Sequence, residues 1–120
     1  MINITAYIVS GNNISLINNQ AIIYLNGYSY ELILQINNTG NTIDNLTLNI
    51  INSGVSILIP QYYNINISNL NPYQAENITL MLYPYSLGTS NLYVELYSNG
   101  IYLGSYEYKI LVLGEFKNNK

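Results

Sequence analysis

Cysteine, histidine, tryptophan and arginine are all absent from this chain of 120 residues. Without cysteine it has no disulfide framework and no thiolate ligand for a metal, so its stability must come from a hydrophobic core and from backbone hydrogen bonds. Without histidine, and with no serine in a G-x-S-x-G setting, it has no nucleophile motif. These absences predict a protein that is not an enzyme and that uses no cofactor or metal.

Charged side chains are also scarce, at 8% of the residues against roughly 25% in typical soluble proteins. The only cationic residues are three lysines, and the formal net charge is −3. A nucleic-acid-binding surface needs a basic stripe that displaces counterions, so nucleic acid is not an expected partner. The six carboxylates are too scattered to nominate an acid/base pair; Glu31 and Glu95 lie on predicted strands that the fold could bring together.

The polar surface must therefore consist largely of asparagine amides and tyrosine hydroxyls. Such a surface changes little with pH because few carboxylates become protonated in acid, which favours an acid-tolerant extracellular protein. An AT-rich genome would also enrich asparagine, isoleucine and tyrosine. No stretch reaches the roughly 18 apolar residues of a membrane span, and residues 1–10 do not resemble a signal peptide. An extracellular location thus requires a removed leader or anchor, or a longer parent protein.

Apolar residues recur at every second position in one stretch after another, which is the period of a strand with one buried face. The clearest case is residues 28–41, and its predicted inward residues are Tyr28, Tyr30, Leu32, Leu34 and Ile36. Further strands are predicted within residues 2–9, 21–25, 46–50, 55–59, 63–67, 77–83, 92–97 and 106–112. No window of eleven or more residues shows helical spacing.

Two Asn-Gly dipeptides predict type I′ hairpins. Asn26-Gly27 would join residues 21–25 to the strand that starts at Tyr28, with Leu25 opposite Tyr28. Asn99-Gly100 would join residues 92–97 to the last strand and place Leu103 opposite Leu96.

The inward series of the last strand has the opposite parity from Tyr106 onward. A one-residue bulge reconciles the two halves of the strand, and we predict it at Gly104, because glycine tolerates a bulge backbone.

Eight or nine short strands predict an all-β, immunoglobulin-like antiparallel β-sandwich formed by a single domain, residues 1–120. A closed barrel is the alternative, and residues 114–120 are predicted to be a flexible tail. Residues 1–10 are predicted to be either the first strand of their own sheet, at its edge, or a donor strand, with Ile2, Ile4, Ala6 and Ile8 on the apolar face. As a donor, this strand would fill an open sheet edge in the next copy and build a head-to-tail filament by strand exchange.

Several segments together resemble the immunoglobulin-like domains of prokaryotic, and especially archaeal, cell-surface proteins, including the CARDB type and S-layer-associated repeats. The segments are YELILQINNTGN, NLTLNI, NISNLNPYQAENITLML and LYVELYSNG, and they span roughly residues 28–113. The resemblance implies an extracellular spacer, adhesive or assembly module without catalysis.

Two features are candidate sites outside the core. Six N-x-S/T motifs are glycosylation candidates, at Asn3, Asn13, Asn37, Asn45, Asn66 and Asn77. Chance would produce about three, although strand alternation with asparagine and Ser/Thr outward gives the same excess. The outward residues Tyr93, Tyr97 and Tyr102 could form an aromatic platform that binds a partner, or simply stabilise neighbouring strands.

The predicted function is a non-enzymatic extracellular structural or adhesive module of an archaeal-type cell surface that assembles by strand exchange. The expected partner is a protein, either a second copy or an S-layer, and glycans are a further candidate. Three alternatives stay open. They are a carbohydrate-binding module, the extracellular domain of an archaellum-stator or pilus-associated protein that binds the S-layer, and a surface protein of an archaeal virus.

Overall fold

The computed structural model describes residues 1–59 and 62–114, which form ten β-strands and contain no helix. The strands are β1 (Ile2–Ser10), β2 (Asn13–Ile17), β3 (Gln20–Leu25), β4 (Tyr30–Asn38), β5 (Asp44–Ser53), β6 (Ile57–Leu58), β7 (Tyr62–Leu70), β8 (Ala75–Pro84), β9 (Gly88–Ser98) and β10 (Ile101–Gly114). One more strand forms than the eight or nine predicted. It is β2, whose five residues are too few for their alternation to be distinctive in the sequence.

The strands form two five-stranded sheets. The first sheet has the order β2-β1-β4-β8-β6, and the second sheet has the order β3-β10-β9-β5-β7. Neighbouring strands are antiparallel except β3, which pairs parallel with β10. On β4, β5 and β9 every second residue is buried between the sheets, and the same alternation holds over part of β8 and β10, which explains the two-residue period of the sequence. The predicted all-β immunoglobulin-like sandwich is confirmed.

The central strand β4 carries the predicted core residues Leu32, Leu34 and Ile36, which are fully buried. The strand begins at Tyr30 rather than at Tyr28, whose side chain is 75% exposed. The prediction that Tyr28 faces the core is therefore wrong. The Tyr28 N–H donates to the Asn26 side-chain oxygen at 3.1 Å, a local turn that keeps residues 26–29 out of the sheet.

The predicted hairpin at Asn26-Gly27 is also wrong. The chain crosses here from the second sheet to the first, because β3 pairs with β10 while β4 pairs with β1 and β8. Only Gly27 of this dipeptide has a positive φ, whereas a type I′ turn needs positive φ at both central residues. The Tyr30 hydroxyl accepts hydrogen bonds from the Tyr24 N–H at 3.2 Å and from the Asn26 amide at 3.4 Å, which holds the crossing in place.

The second Asn-Gly hairpin forms as predicted. Asn99 and Gly100 have φ values of 51° and 81°, and Ser98 pairs with Ile101. The register shifts between Tyr102 and Gly104, so the predicted bulge is present. Leu103 is the extra residue and is 51% exposed, and Gly104 rather than Leu103 lies opposite Leu96.

The first strand, β1, lies inside its sheet, where it pairs with β2 on one side and with β4 on the other. It is therefore the first strand of its own sheet, as predicted, but the predicted edge position is wrong, because β2 folds back on β1 and takes the edge. Ile2, Ala6 and Ile8 are buried in the core and Ile4 is half-buried. Donation of this strand to another copy stays a prediction, and it would require release of β1 from both neighbours.

Two other predicted boundaries change. The strand predicted within residues 55–59 shrinks to β6, because Val55 is 77% exposed while Ile57 is buried. Pro60, which follows the predicted strand in the sequence, lies outside the described residues. Gly114 is the last residue of β10 and pairs with Leu25, so it does not belong to a tail. The rest of the predicted tail, residues 115–120, also lies outside the described residues.

Candidate functional site

The outer face of the second sheet carries the three predicted tyrosines. In this sheet β10, β9, β5 and β7 lie side by side, and their outward residues line up in rows across the strands. One row is Tyr102, Tyr97, Thr47 and Asn66; the next is Ser105, Glu95, Asn49 and Asn64; and the third is Glu107, Tyr93, Ile51 and Tyr62. We call these three rows the tyrosine–amide face.

Tyr97 and Tyr102, two of the three tyrosines of the predicted platform, form an aromatic pair across the second hairpin. Their ring centroids are 5.5 Å apart and the ring planes are tilted by 59°, a separation typical of favourable aromatic pairs. Tyr102 is 54% exposed and Tyr97 is half-buried. Tyr93 lies on the same face, four residues before Tyr97 and therefore about 13 Å along the strand. The structure thus joins two of the three predicted tyrosines in a pair and places the third near them.

Side-chain amides occupy the other half of the face and are joined by hydrogen bonds. The Asn49 oxygen accepts from the Tyr62 hydroxyl at 2.9 Å and from the Asn64 amide at 2.6 Å. The Asn66 oxygen accepts from the Thr47 hydroxyl at 2.9 Å. These bonds orient the amides and leave each of them further hydrogen-bonding capacity, so the face offers positioned donors and acceptors beside aromatic rings.

Three members of this face, Tyr62, Asn49 and Asn64, were not predicted from the sequence. Their outward parity is readable from the alternation, but nothing local places β5 and β7 beside β9. The missing information was strand order, which depends on contacts between residues far apart in the chain. The one signal in the sequence is that β5 and β7 both carry asparagine at outward positions.

The acid/base pair that Glu31 and Glu95 could have supplied does not form. Glu31 points outward from β4 in the first sheet, whereas Glu95 points outward from β9 in the second sheet. Two stacked sheets lie about 10 Å apart, and these side chains extend from opposite sides of them. Among the described residues, no group of three or more acidic side chains is close enough to hold a metal ion.

Five of the six glycosylation candidates lie at exposed positions, and Asn37 is half-buried on the outer face of the first sheet. Asn66 belongs to the tyrosine–amide face, where its oxygen is bonded to Thr47. Asn45 lies beside the second hairpin, and its oxygen accepts the Asn69 N–H at 2.8 Å. Attachment of glycans to any of the six stays a prediction.

No family model matches the chain, and no curated protein sequence matches it. Among solved structures, it is similar to the CARDB domain of the PF1109 protein from Pyrococcus furiosus, which was determined in complex with di-metal ions. That match has a TM-score of 0.63 and 12% sequence identity, and it covers 95% of this chain and 96% of that one. At this identity the match shows the fold, and it confirms at that level the resemblance to CARDB-type domains.

A second similar structure is the alkylpurine DNA glycosylase AlkC from Pseudomonas fluorescens, bound to DNA containing an abasic site analog. The TM-score is 0.45 and the identity 14%, over 92% of this chain and 30% of that one.

In the described part of this chain, no helix is long and apolar enough to span a membrane.

Proposed function

We propose that this chain is a non-enzymatic extracellular module with a structural and adhesive role on an archaeal-type cell surface, and that it holds an S-layer through the tyrosine–amide face. The observation that supports the proposal is the organisation of that face, in which a tyrosine pair adjoins hydrogen-bonded amides on four paired strands. Tyrosine is enriched at protein interfaces because its ring buries a large apolar area while its hydroxyl still finds a partner.

The composition of the face suits an extracellular setting. In its three rows only Glu95 and Glu107 carry charge, so binding there depends little on salt concentration. Exposed N-x-S/T motifs elsewhere on the surface are consistent with an extracellular, glycosylated protein.

Binding to isolated archaeal S-layer sheets tests the proposal. The wild-type chain should bind the sheets, and the variant Tyr97→Ser/Tyr102→Ser should bind at least about ten-fold more weakly, because tyrosine is enriched among the few interface residues whose truncation costs more than about 1 kcal/mol. Tyr28→Ser is the matched control, because Tyr28 is at least as accessible but lies in the crossing loop away from the face. Equal binding by the two variants, or no binding by the wild type, would contradict the proposal.

Carbohydrate binding is a second candidate, favoured by the amides beside the tyrosine rings. Sugar hydroxyls pair with amide donors and acceptors, and the apolar faces of sugar rings stack on aromatic rings. The chemistry of the target separates the two candidates. Periodate oxidation of the S-layer glycans should leave binding unchanged if the partner is the S-layer protein, and should abolish it if the partner is a glycan. A neutral-oligosaccharide array provides the direct readout.

Filament formation by exchange of β1 is a separate part of the proposed role. An exchanged β1 would take the same place between β2 and β4 of a neighbouring copy that it now takes in its own. Negative-stain microscopy of the wild type and of a variant without residues 1–10 tests it. Filaments that persist in the deletion variant would refute the exchange.

A further inference from the structure

We infer that the free edge of β2 is a self-association site, at which two copies pair β2 with β2 in antiparallel orientation about a two-fold axis at Ser15. The first sheets of the two copies would then form one continuous ten-stranded sheet. This site is distinct from the tyrosine–amide face, which belongs to the second sheet.

Among residues 1–59 and 62–114, β1 is the one strand that pairs with β2, so within this part of the chain the other side of β2 carries unpaired backbone groups. Ser10 and Asn13 close a two-residue hairpin between β1 and β2, so their backbone groups bond to each other. Because orientation alternates along a strand, Ser15 and Ile17 also direct their backbone groups at β1. The N–H and C=O groups of Ile14 and Leu16 therefore point away from the sheet, into the position that another strand would take.

The same two residues expose the apolar side chains that a second copy would cover. Ile14 is 68% exposed and Leu16 is 63% exposed. They are paired with Val9 and Tyr7 of β1, and all four side chains lie on the outer face of the first sheet. No charged residue, proline or bulge interrupts β2, although natural edge strands commonly use these features to prevent pairing with other chains.

Antiparallel pairing of two β2 strands is self-complementary. With Ser15 on the axis, Ile14 of each copy lies opposite Leu16 of the other, and the two pairs exchange about four N–H···O=C bonds. Both side chains of each pair then lie on the same outer face, where they contact each other. The groove of about 500 Å³ between β2 and β3, lined in part by Ser15 and Ile17, leaves room on the inner side of the edge.

Charge placement favours edge pairing over packing of two outer faces against each other. Glu31 is the charged residue in the outward row of the first sheet that contains Ile14 and Val9. It lies on β4, two strands in from the β2 edge. Face-to-face packing would bury this carboxylate. Edge pairing would leave the two Glu31 carboxylates exposed and about 24 Å apart at a strand spacing of about 4.8 Å, well beyond the screening length in physiological salt.

The other edges of the described sheets are less suited to pairing. On β3, the Tyr30 hydroxyl already accepts the outward Tyr24 N–H. On β8, the edge that β6 leaves open carries Glu76. On β7, the outward side chains are polar and already hydrogen-bonded to β5. Unpaired backbone groups and exposed aliphatic side chains coincide on β2.

A single β2 pair buries less surface than stable dimers do, so the contact is weak in dilute solution. In a dense array on a surface, the effective concentration of neighbours strengthens such a contact. Only this last step rests on the proposed function; the pairing itself does not.

Cysteine cross-linking tests the pairing, since the chain contains no cysteine of its own. In the Ser15→Cys variant, the two Cα atoms would lie about 4.5 Å apart as a non-hydrogen-bonded pair, which is suitable for a disulfide. In the matched control Asn13→Cys, on the same strand and face, they would lie about 14 Å apart, because four residues along the strand and one strand spacing separate them. Both substitutions change the same N-x-S motif, so a glycan at Asn13 does not distinguish them.

We expect the Ser15→Cys variant to form disulfide-linked dimers in a glutathione buffer in a yield at least about five-fold above that of Asn13→Cys, because only the former meets the distance limits of a disulfide. Adding Leu16→Lys should reduce the yield to the control level, whereas adding Leu87→Lys, at an exposed position outside the strands, should not. Equal yields for Ser15→Cys and Asn13→Cys would overturn the pairing, as would a higher yield from Asn64→Cys on the β7 edge. The Ser15, Asn13 and Leu16 variants leave the tyrosine–amide face unchanged, so failure here is distinct from failure of S-layer binding.

Discussion

Replacement of Asn38 by alanine should destabilise the fold more than any comparable change of an asparagine on the sheet surface. Asn38 ends β4 and is 1% exposed. Its amide nitrogen donates to the Thr42 carbonyl at 2.8 Å and to the Leu70 carbonyl at 3.0 Å. Its amide oxygen accepts the Gly40 N–H at 3.0 Å. One side chain thus ties the β4–β5 loop to the end of β7.

The expected loss follows from these three bonds. Each hydrogen bond contributes about 0.5–1.5 kcal/mol net, and a partner left unsatisfied in a buried place costs at least as much. We therefore expect Asn38→Ala to lower the free energy of unfolding by about 3 kcal/mol. This is a large fraction of the roughly 5–15 kcal/mol that stabilises a typical domain.

Urea denaturation followed by far-UV circular dichroism at pH 7 measures the effect. With a slope of about 1.5 kcal/mol per molar urea, the midpoint should fall by about 2 M. Asn37→Ala is the matched control, since Asn37 is the preceding residue but lies half-buried on the outer face; its midpoint should change by less than about 0.3 M. If the two variants have the same midpoint, the hydrogen bonds of Asn38 do not stabilise the fold as argued.

Asn38→Asp adds a test that depends on pH. An ionised carboxylate cannot donate to the carbonyls of Thr42 and Leu70, so burial beside them should raise the pKa of the introduced carboxyl group above its usual value of about 3.9. The native state then holds the proton more tightly than the unfolded state, and stability falls as the pH rises from the unfolded pKa through the folded one. The alanine variant should show no such added dependence.

Three further outcomes are expected. Gly54→Ala should lower the free energy of unfolding by at least about 3 kcal/mol, because φ is +141° and a Cβ would lie 2.8 Å from the Ser90 Cα and 3.0 Å from the Thr89 carbonyl oxygen. The control Gly88→Ala has φ +133° and open space around the new Cβ, so it should cost only the backbone strain. Equal losses for the two variants in urea denaturation would contradict the clash. Burial, and then the neighbouring Tyr106, raise the pKa of Tyr108 to about 12. The folded state therefore keeps this proton to higher pH than the unfolded state does, and stability should fall between about pH 10 and 12 more in the wild type than in Tyr108→Phe. Parallel curves of stability against pH for the two proteins would contradict this. A double-mutant cycle of Tyr97→Ala and Tyr102→Ala should give a coupling of about 0.5–1.5 kcal/mol in thermal or urea unfolding, and additive effects would show that the ring contact contributes nothing.

The alternation of residues predicted most of the strands and which of their side chains face the core. Leu32, Leu34 and Ile36 are buried as predicted. This information is local, because successive side chains of a strand point to opposite faces whatever strand lies beside it. The bulge at Gly104 was predictable for a similar reason, since the change of parity within β10 had to be absorbed within that strand.

The same pattern could not predict which strands are neighbours. Ala21 and Ile23 face the core whether β3 turns back beside β4 or crosses to the other sheet, so their parity is the same in both cases. The two Asn-Gly dipeptides show the consequence, because Asn99-Gly100 forms a hairpin while Asn26-Gly27 joins two sheets. The crossing is held by the Tyr30 hydroxyl and by the pairing of β3 with β10, at the far end of the chain.

Local residue patterns therefore suffice to show that this protein is a layered all-β domain, where most of its core side chains lie, and that its surface is built from amides and phenols. The order of the strands, and with it the two surfaces of interest, comes from the folded arrangement. The tyrosine–amide face exists because β7 and β5 lie beside β9, and the exposed edge exists because β2 folds back on β1. Strand order depends on long-range pairing, which is selected by the packing and hydrogen bonding of the whole sandwich rather than by any local pattern.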